Sequence, residues 1–241
     1  MSNSAESTGA YGALLIEPTI ELSVAGAYPQ VAEVRHSTTQ ALLGGGGFVR
    51  VGGGETASGS LKVILNRRAK RTDVLSWDYR LRNGLVVSAR LKALMERFRV
   101  ANSSFEMMEV HGVPDGSYYW MAVNYSGVDE IDFRGSLFQE LLNYRVREDA
   151  LLSFDSFDDY SEWMRESLHT NPEDIRVAVP FRLTWKAGRH HSADVFMLRP
   201  FAKEVFVSQE LCDAIVGEGI SGCTIKRVFE GAVGAAPVNP L

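Results

Sequence analysis

Two stretches decide how this chain reads: LVVSARLKALMERFRVANSSF, residues 85–105, and VFVSQELCDAIVGEGISGCTI, residues 205–225. At a constant offset of 120, Val87 falls on Val207, Ser88 on Ser208 and Leu91 on Leu211. Met95, Val100 and Phe105 stand opposite Ile215, Ile220 and Ile225. Each copy opens with an apolar run that closes a strand. A serine follows, a residue whose hydroxyl suits the N-cap of a helix. Apolar residues then recur with helical period, a turn follows, and an aromatic or β-branched position opens another strand. Three identities in 21 positions do not prove duplication. The apolar register nevertheless holds across the helix and the next strand. A solenoid would need more copies. The pattern predicts one α+β domain, mixed sheets with peripheral helices, built from two related strand–helix–strand half-units.

Working outward, LKVIL (61–65) reads as a strand and is followed by the basic run Arg67, Arg68, Lys70 and Arg71. Gly112, Pro114, Asp115 and Gly116 mark a turn, and the aromatic, β-branched YYWMAV (118–123) predicts a buried strand. Ser136 and Gln139 stand at capping-box spacing ahead of Leu141 and Leu142, which predicts a helix start. FDSFDDYSEWMRESLH (154–169) predicts another, with Phe157, Tyr160, Met164 and Leu168 on one face and a stop before Asn171-Pro172. VAVPFRLTW (177–185) and VFML (195–198) read as strands. Residues 13–35, broken by Pro18, Gly26 and Pro29, read as short strands or loops. In LLGGGGFVRVGGGETASGS (42–60), seven glycines flank FVRV. Neither a Gly-Lys-Ser/Thr ending nor a strand–GxGxxG–helix context accompanies them, so the segment reads as turns around a short strand, not a phosphate cradle. The expected organisation is an N-terminal Gly-rich segment with short strands, residues 1–60, packed on a main α+β domain, residues 61–230. A loose tail, residues 231–241, follows.

A chain of 241 residues fits one large domain or two small intimate ones. It is long enough to fold without disulfides or metals. Hydrophobic residues at 45% and charged residues at 23% are ordinary globular values. The net charge of −5 argues against general nucleic-acid binding and against a basic membrane-surface protein. There is no run of apolar residues long enough for a transmembrane helix and no signal-peptide pattern at the N-terminus. Two cysteines, Cys212 and Cys223, fit a reducing compartment. The expectation is a cytoplasmic protein.

No catalytic signature stands out: GxSxG, HExxH and the zinc-deaminase pattern are all missing. The adjacent His190 and His191 would point to opposite faces of an extended segment, a poor bidentate metal site. Neither cysteine has a neighbouring base or cation that marks a reactive thiolate. No catalytic residue, metal site or cofactor is assigned. A small enzyme, a hydrolase or transferase with a site of scattered residues, is the alternative.

Charge is distributed unevenly. Residues 62–99 hold eleven Lys/Arg against three acids, net +8. Residues 129–174 hold thirteen acids against four arginines, net −9. The acids are densest in DEID (129–132) and FDSFDDYSEW (154–163), where they interleave with Phe154, Phe157, Tyr160 and Trp163. One reading is a solvated helix face, with the two charged segments partly neutralising each other. The other is a protein-binding surface whose carboxylates speed association and whose aromatics carry affinity. On that reading Asp129, Glu130, Asp132, Asp155, Asp158, Asp159 and Glu162 are rim charges, and Tyr160 and Trp163 are anchors.

The order of several segments carries a resemblance. These are GLVVSARLKALMERF (84–98), FEMMEV (105–110), SYYWMAV (117–123), VDEIDFRGS (128–136) and VFMLRPFAKEVFVSQELCDAIVGEGISGCTIKRV (195–228). Together they resemble a bacterial immunity-protein family of the polymorphic-toxin systems, immunity protein family eleven, formerly a domain of unknown function. The resemblance covers about residues 62–229, and YGALLIEP (11–18) is loosely similar to the family's opening. Met107 stands where the family commonly has proline, and the Gly-rich 44–54 segment has no counterpart in it. The resemblance implies a cytoplasmic antidote that binds and neutralises a cognate toxin domain encoded nearby. It implies neither catalysis nor a cofactor, and the partner is a protein, not nucleic acid or membrane.

Overall fold

The computed structural model describes residues 13–36, 61–77, 84–100, 102–114, 116–143, 145–170, 175–186, 193–199 and 201–228. In chain order the elements are β1 (Ala13–Pro18), α1 (Leu22–Ala25), β2 (Val31–His36), β3 (Leu61–Leu65), β4 (Val74–Leu75), β5 (Gly84–Ser88), α2 (Ala89–Met95), β6 (Ser103–Val110), β7 (Tyr118–Val123), a helical turn at Gly127–Glu130, β8 (Leu137–Leu142), β9 (Arg145–Leu152), α3 (Phe157–Thr170), β10 (Arg176–Arg182), β11 (Val195–Leu198), β12 (Ala202–Val207), α4 (Gln209–Gly217) and β13 (Cys223–Val228). They form three sheets, ordered β2-β3-β6-β7-β5-β4, β11-β12-β1-β13 and β10-β8-β9. Among the named strands of the described residues, β3 and β6 pair in parallel and the other ladders are antiparallel. The class is α+β with mixed sheets and few helices, as the sequence pattern predicts.

The repeated pattern folds twice into one topology. β5, α2 and β6 form a strand–helix–strand unit in which β5 and β6 are parallel and β7 lies between them, antiparallel to both. β12, α4 and β13 do the same with β1 between them. Each unit is a split βαβ. Each also carries a flanking strand, β4 beside β5 and β11 beside β12. The caps match: Ser88 and Ser208 have φ −69, ψ 162 and φ −68, ψ 162, and each hydroxyl accepts from the N–H three residues on. The turn after each helix needs a left-handed residue at the same offset, Asn102 (φ 52) and Gly222 (φ 82). At Gly222 a Cβ would overlap Thr72, so only glycine fits.

The two units pack face to face. Leu85, Val87, Leu91, Leu94, Met95 and Met121 of the first share one core with Leu14, Ile16, Val205, Val207, Leu211 and Ile215 of the second. Alternate residues point the other way. Val86, Tyr118, Trp120 and Ala122 form a second core on the far face of the six-stranded sheet. Phe196, Leu198 and Phe206 form a third beneath the three-stranded sheet and α3. Burial on both faces explains why these strands read as unbroken apolar runs rather than alternating ones.

Two expectations are corrected. Residues 136–142 are not a helix start: Leu137–Leu142 is β8, the middle strand of its sheet. The Ser136 hydroxyl donates to the Asp132 carbonyl and accepts from the Thr184 N–H, so it caps nothing. The Gln139 amide donates to the carbonyls of Arg147 and Ala150 on the neighbouring strand. Residues 13–18 are not merely packed on a main domain: β1 is an inner strand of it, and β2 forms the edge beside β3. Ion pairs from the basic segment run to Asp73, Glu96, Glu109, Asp194 and Glu218. The basic and acidic segments also meet electrostatically, since the Glu130 charge acts on Arg99. The Gly-rich 44–54 segment and the tail 231–241 lie outside the described residues.

Candidate functional site

Buried carboxylates are the first place to look for chemistry, because burial shifts their titration and fixes their geometry. Asp73 and Asp194 occupy equivalent places in the two units. The Asp73 carboxylate accepts from the Ser88 hydroxyl at 2.7 Å and from the Ser221 N–H and hydroxyl at 2.9 Å. Asp194 accepts from the Arg99 N–H at 2.9 Å and its guanidinium at 3.1 and 3.2 Å. Each aspartate therefore joins its own unit to the helix-to-strand turn of the other. Burial alone would raise both carboxyls. For Asp73 the Ser88 and Ser221 donors and the Arg90 charge outweigh it; for Asp194 the Arg99 donors and Ser208 do. Both are held below the ordinary aspartate value. Glu140, on β8, is buried beneath the guanidiniums of Arg147 and Arg176.

The thiols are similarly quiet. Burial, then Asp213, raises Cys212; burial, then Asp73 and Cys212, pushes Cys223 up to about 11. Among the described residues no three His, Cys, Asp or Glu side chains are grouped to hold a metal ion. His190 and His191 lie outside the described residues.

The predicted binding residues separate into two groups. Asp155, Asp158, Asp159 and Glu162 are exposed, on α3 and the turn before it. Asp158, Glu162 and Glu166 follow one another at helical spacing along the exposed side. The Ser156 hydroxyl accepts the Asp159 N–H at 3.1 Å, and Asp158 and Asp159 stand in the first turn, where the helix dipole favours negative charge. Arg134 pairs with Asp155 at 3.1 Å in an exposed contact. Asp129 is exposed and Asp132 half-buried; their backbones are tied to Lys186 and Thr184.

Two of the predicted residues are not on the surface. Tyr160 is only 3% exposed, with ring centroids 4.8 Å from Phe201, 5.3 Å from Phe154 and 5.4 Å from Phe138. Its hydroxyl donates to the Ala178 carbonyl. It is a core residue, because the helix turns its aromatic stripe onto the sheet. Glu130 is 4% exposed and accepts from the Tyr125 hydroxyl at 2.6 Å, so it is no rim charge. Trp163 is half-buried, packed on Phe154 with the Arg176 guanidinium over its ring at 5.3 Å. The region is thus an acidic face backed by a closed aromatic core, not an acidic rim around open aromatic anchors.

One surface feature left no trace in the sequence reading. Ile20, Leu22, Val24 and Tyr28 are exposed together around α1. No family model matches this chain, and no curated protein matches it. Among the described residues, no helix is long and apolar enough to cross a membrane.

Proposed function

We propose that this protein is an immunity protein that neutralises a cognate secreted antibacterial toxin by direct protein–protein binding, occluding the toxin's substrate site. The observation that carries the reading is the row of exposed carboxylates on α3 and the turn before it, Asp155, Asp158, Asp159 and Glu162, backed by the buried aromatic side of the helix. The order of motifs along residues 62–229 supports it independently. A preorganised acidic face steers a basic surface into contact and loses little side-chain entropy beyond that of the carboxylates themselves. The aromatic residues of this helix stabilise the face from below.

The test is to purify the protein with the toxin domain encoded beside it and follow association by stopped flow. Replacing Asp158, Asp159 and Glu162 with lysine is expected to slow association by about tenfold or more at low ionic strength and to flatten its salt dependence. Thermal stability should hardly change, since the three side chains are exposed. An unaltered association rate removes α3 from the mechanism. Absence of any complex with the wild-type protein removes the immunity reading itself.

A further inference from the structure

An interface needs exposed, rigid, apolar anchors, since a few desolvated side chains carry most of the binding energy. Neither Tyr160 nor the half-buried Trp163 meets that requirement. The segment between β1 and β2 does. Ile20, Leu22, Val24 and Tyr28 are 37 to 68% exposed, four large apolar side chains within nine positions. Scattered exposed apolar residues need no explanation, but four within one short segment do.

The segment is clamped. The Lys70 N–H donates to the Ala25 carbonyl at 2.8 Å, and the Lys70 ammonium to the Ser23 carbonyl at 2.7 Å. The Gln30 amide donates to the Lys70 carbonyl at 2.6 Å, and the Asn66 N–H to the Gln30 carbonyl at 2.7 Å. Gly26, at φ 74, lets the chain pass so close to Arg68 that a Cβ would overlap its carbonyl. The backbone that carries the patch is therefore tied down at Ser23, Ala25 and Gln30, which lowers the entropy lost on binding.

The clamping turn also sets its charge. Arg67, Arg68, Lys70 and Arg71 are all exposed on this turn, whose Lys70 ammonium reaches the Ser23 carbonyl, and Glu21 is the one acid within residues 19–30. A cationic turn beside an apolar set is complementary to a protein surface that carries carboxylates next to apolar side chains. Glu21, exposed between Ile20 and Leu22, would be driven against an anionic bilayer, but a protein partner can offer it a donor.

We propose that Ile20, Leu22, Val24 and Tyr28, beside the basic turn of Arg67, Arg68, Lys70 and Arg71, are the apolar anchor site for an acidic region of the toxin domain. This rests on the immunity reading and deepens it. It gives the toxin two contacts of opposite charge, an acidic one on α3 that steers and an apolar–basic one beside α1 that holds.

The experiment titrates the toxin domain into the full-length protein and two variants, Ile20→Ser/Leu22→Ser and Arg67→Glu/Arg68→Glu. Far-ultraviolet circular dichroism and a thermal melt confirm that both fold; all four side chains are exposed, so neither substitution empties the core. The first variant is expected to lose about 30-fold or more in affinity, mainly through faster dissociation. The second is expected to associate about tenfold more slowly at low salt. Wild-type affinity in both variants overturns the inference while leaving the immunity reading in place. No binding by the wild type overturns both. Two further measurements use the protein alone. Sedimentation that finds self-association abolished by the serine variant would assign the patch to a second copy and overturn the inference. Co-sedimentation with phosphatidylserine vesicles abolished by either variant would assign it to a membrane, with the same consequence.

Discussion

Asp73 and Asp194 illustrate how single residues join the two halves. Their carboxylates are buried, yet held below the ordinary value because Ser88, Ser221, Arg99 and Ser208 supply donors that burial alone would not. A carboxylate whose folded value is depressed adds stability above its unfolded value and loses it as pH falls through the folded one. Asp73→Asn and Asp194→Asn should therefore each cost about 2 kcal/mol near neutral pH, and the difference from wild type should shrink towards about pH 3. Urea unfolding at the two pH values measures this; a pH-independent difference would mean that packing, not charge, is lost. Both positions appear in the sequence only as aspartates ahead of strand-forming runs. Their partners lie 148 and 95 residues away, a separation no local reading bridges.

At the scale of elements, the serine caps of α2 and α4 were legible because a cap is a local device: one hydroxyl and an N–H three residues on. Ser208→Ala is expected to cost about 1 kcal/mol. Ser88→Ala should cost a similar amount, but in a cycle with Asp73→Asn the two losses should fall short of additivity, because one hydrogen bond joins the side chains. Chemical denaturation of the three variants resolves the coupling; strict additivity would place the Asp73 contribution in its Ser221 contacts alone. The misreading of β8 has the same root. Ser136, Gln139, Leu141 and Leu142 satisfy a helix-start pattern, and local propensity does not record that two strands flank them. Pairing to β10 along the whole strand and to β9 at Phe138, Gln139, Leu141 and Leu142 satisfies its backbone groups from both sides, and that outweighs a weak preference.

For the whole molecule, the second unit is incomplete in its own stretch of chain. Its inner strand comes from the opposite end, since β1 lies between β12 and β13 and sends Leu14 and Ile16 into the shared core. Deleting residues 1–18 removes two ladders and two buried side chains together, each side chain alone contributing roughly 1.5–3 kcal/mol. The truncated protein should be unfolded or aggregated, where a dispensable appendage would leave a cooperative melt unchanged. Calorimetry and size-exclusion chromatography distinguish the outcomes. The shared core between the units makes partial unfolding of one alone unfavourable, so a single transition is expected for the full chain.

The chain's own order of residues determined what rests on short-range physics. That includes the α+β class, the serine caps, the strands of the repeated pattern and the helical face of Phe157, Tyr160 and Met164. Each depends on side chains a few positions apart, through periodicity or a single hydrogen bond. It also marked the acidic character of residues 129–174, which is composition. Which acids face solvent was decided only by tertiary packing. Glu130 and Glu140 went inside because a tyrosine hydroxyl and two guanidiniums met them there, while Asp158 and Glu162 stayed out because the far side of α3 carries the aromatics. The exposed apolar set beside α1 was illegible for the same reason. An apolar residue reads as core until the fold shows it exposed, and here a turn 40 residues away is hydrogen-bonded to the segment that carries it.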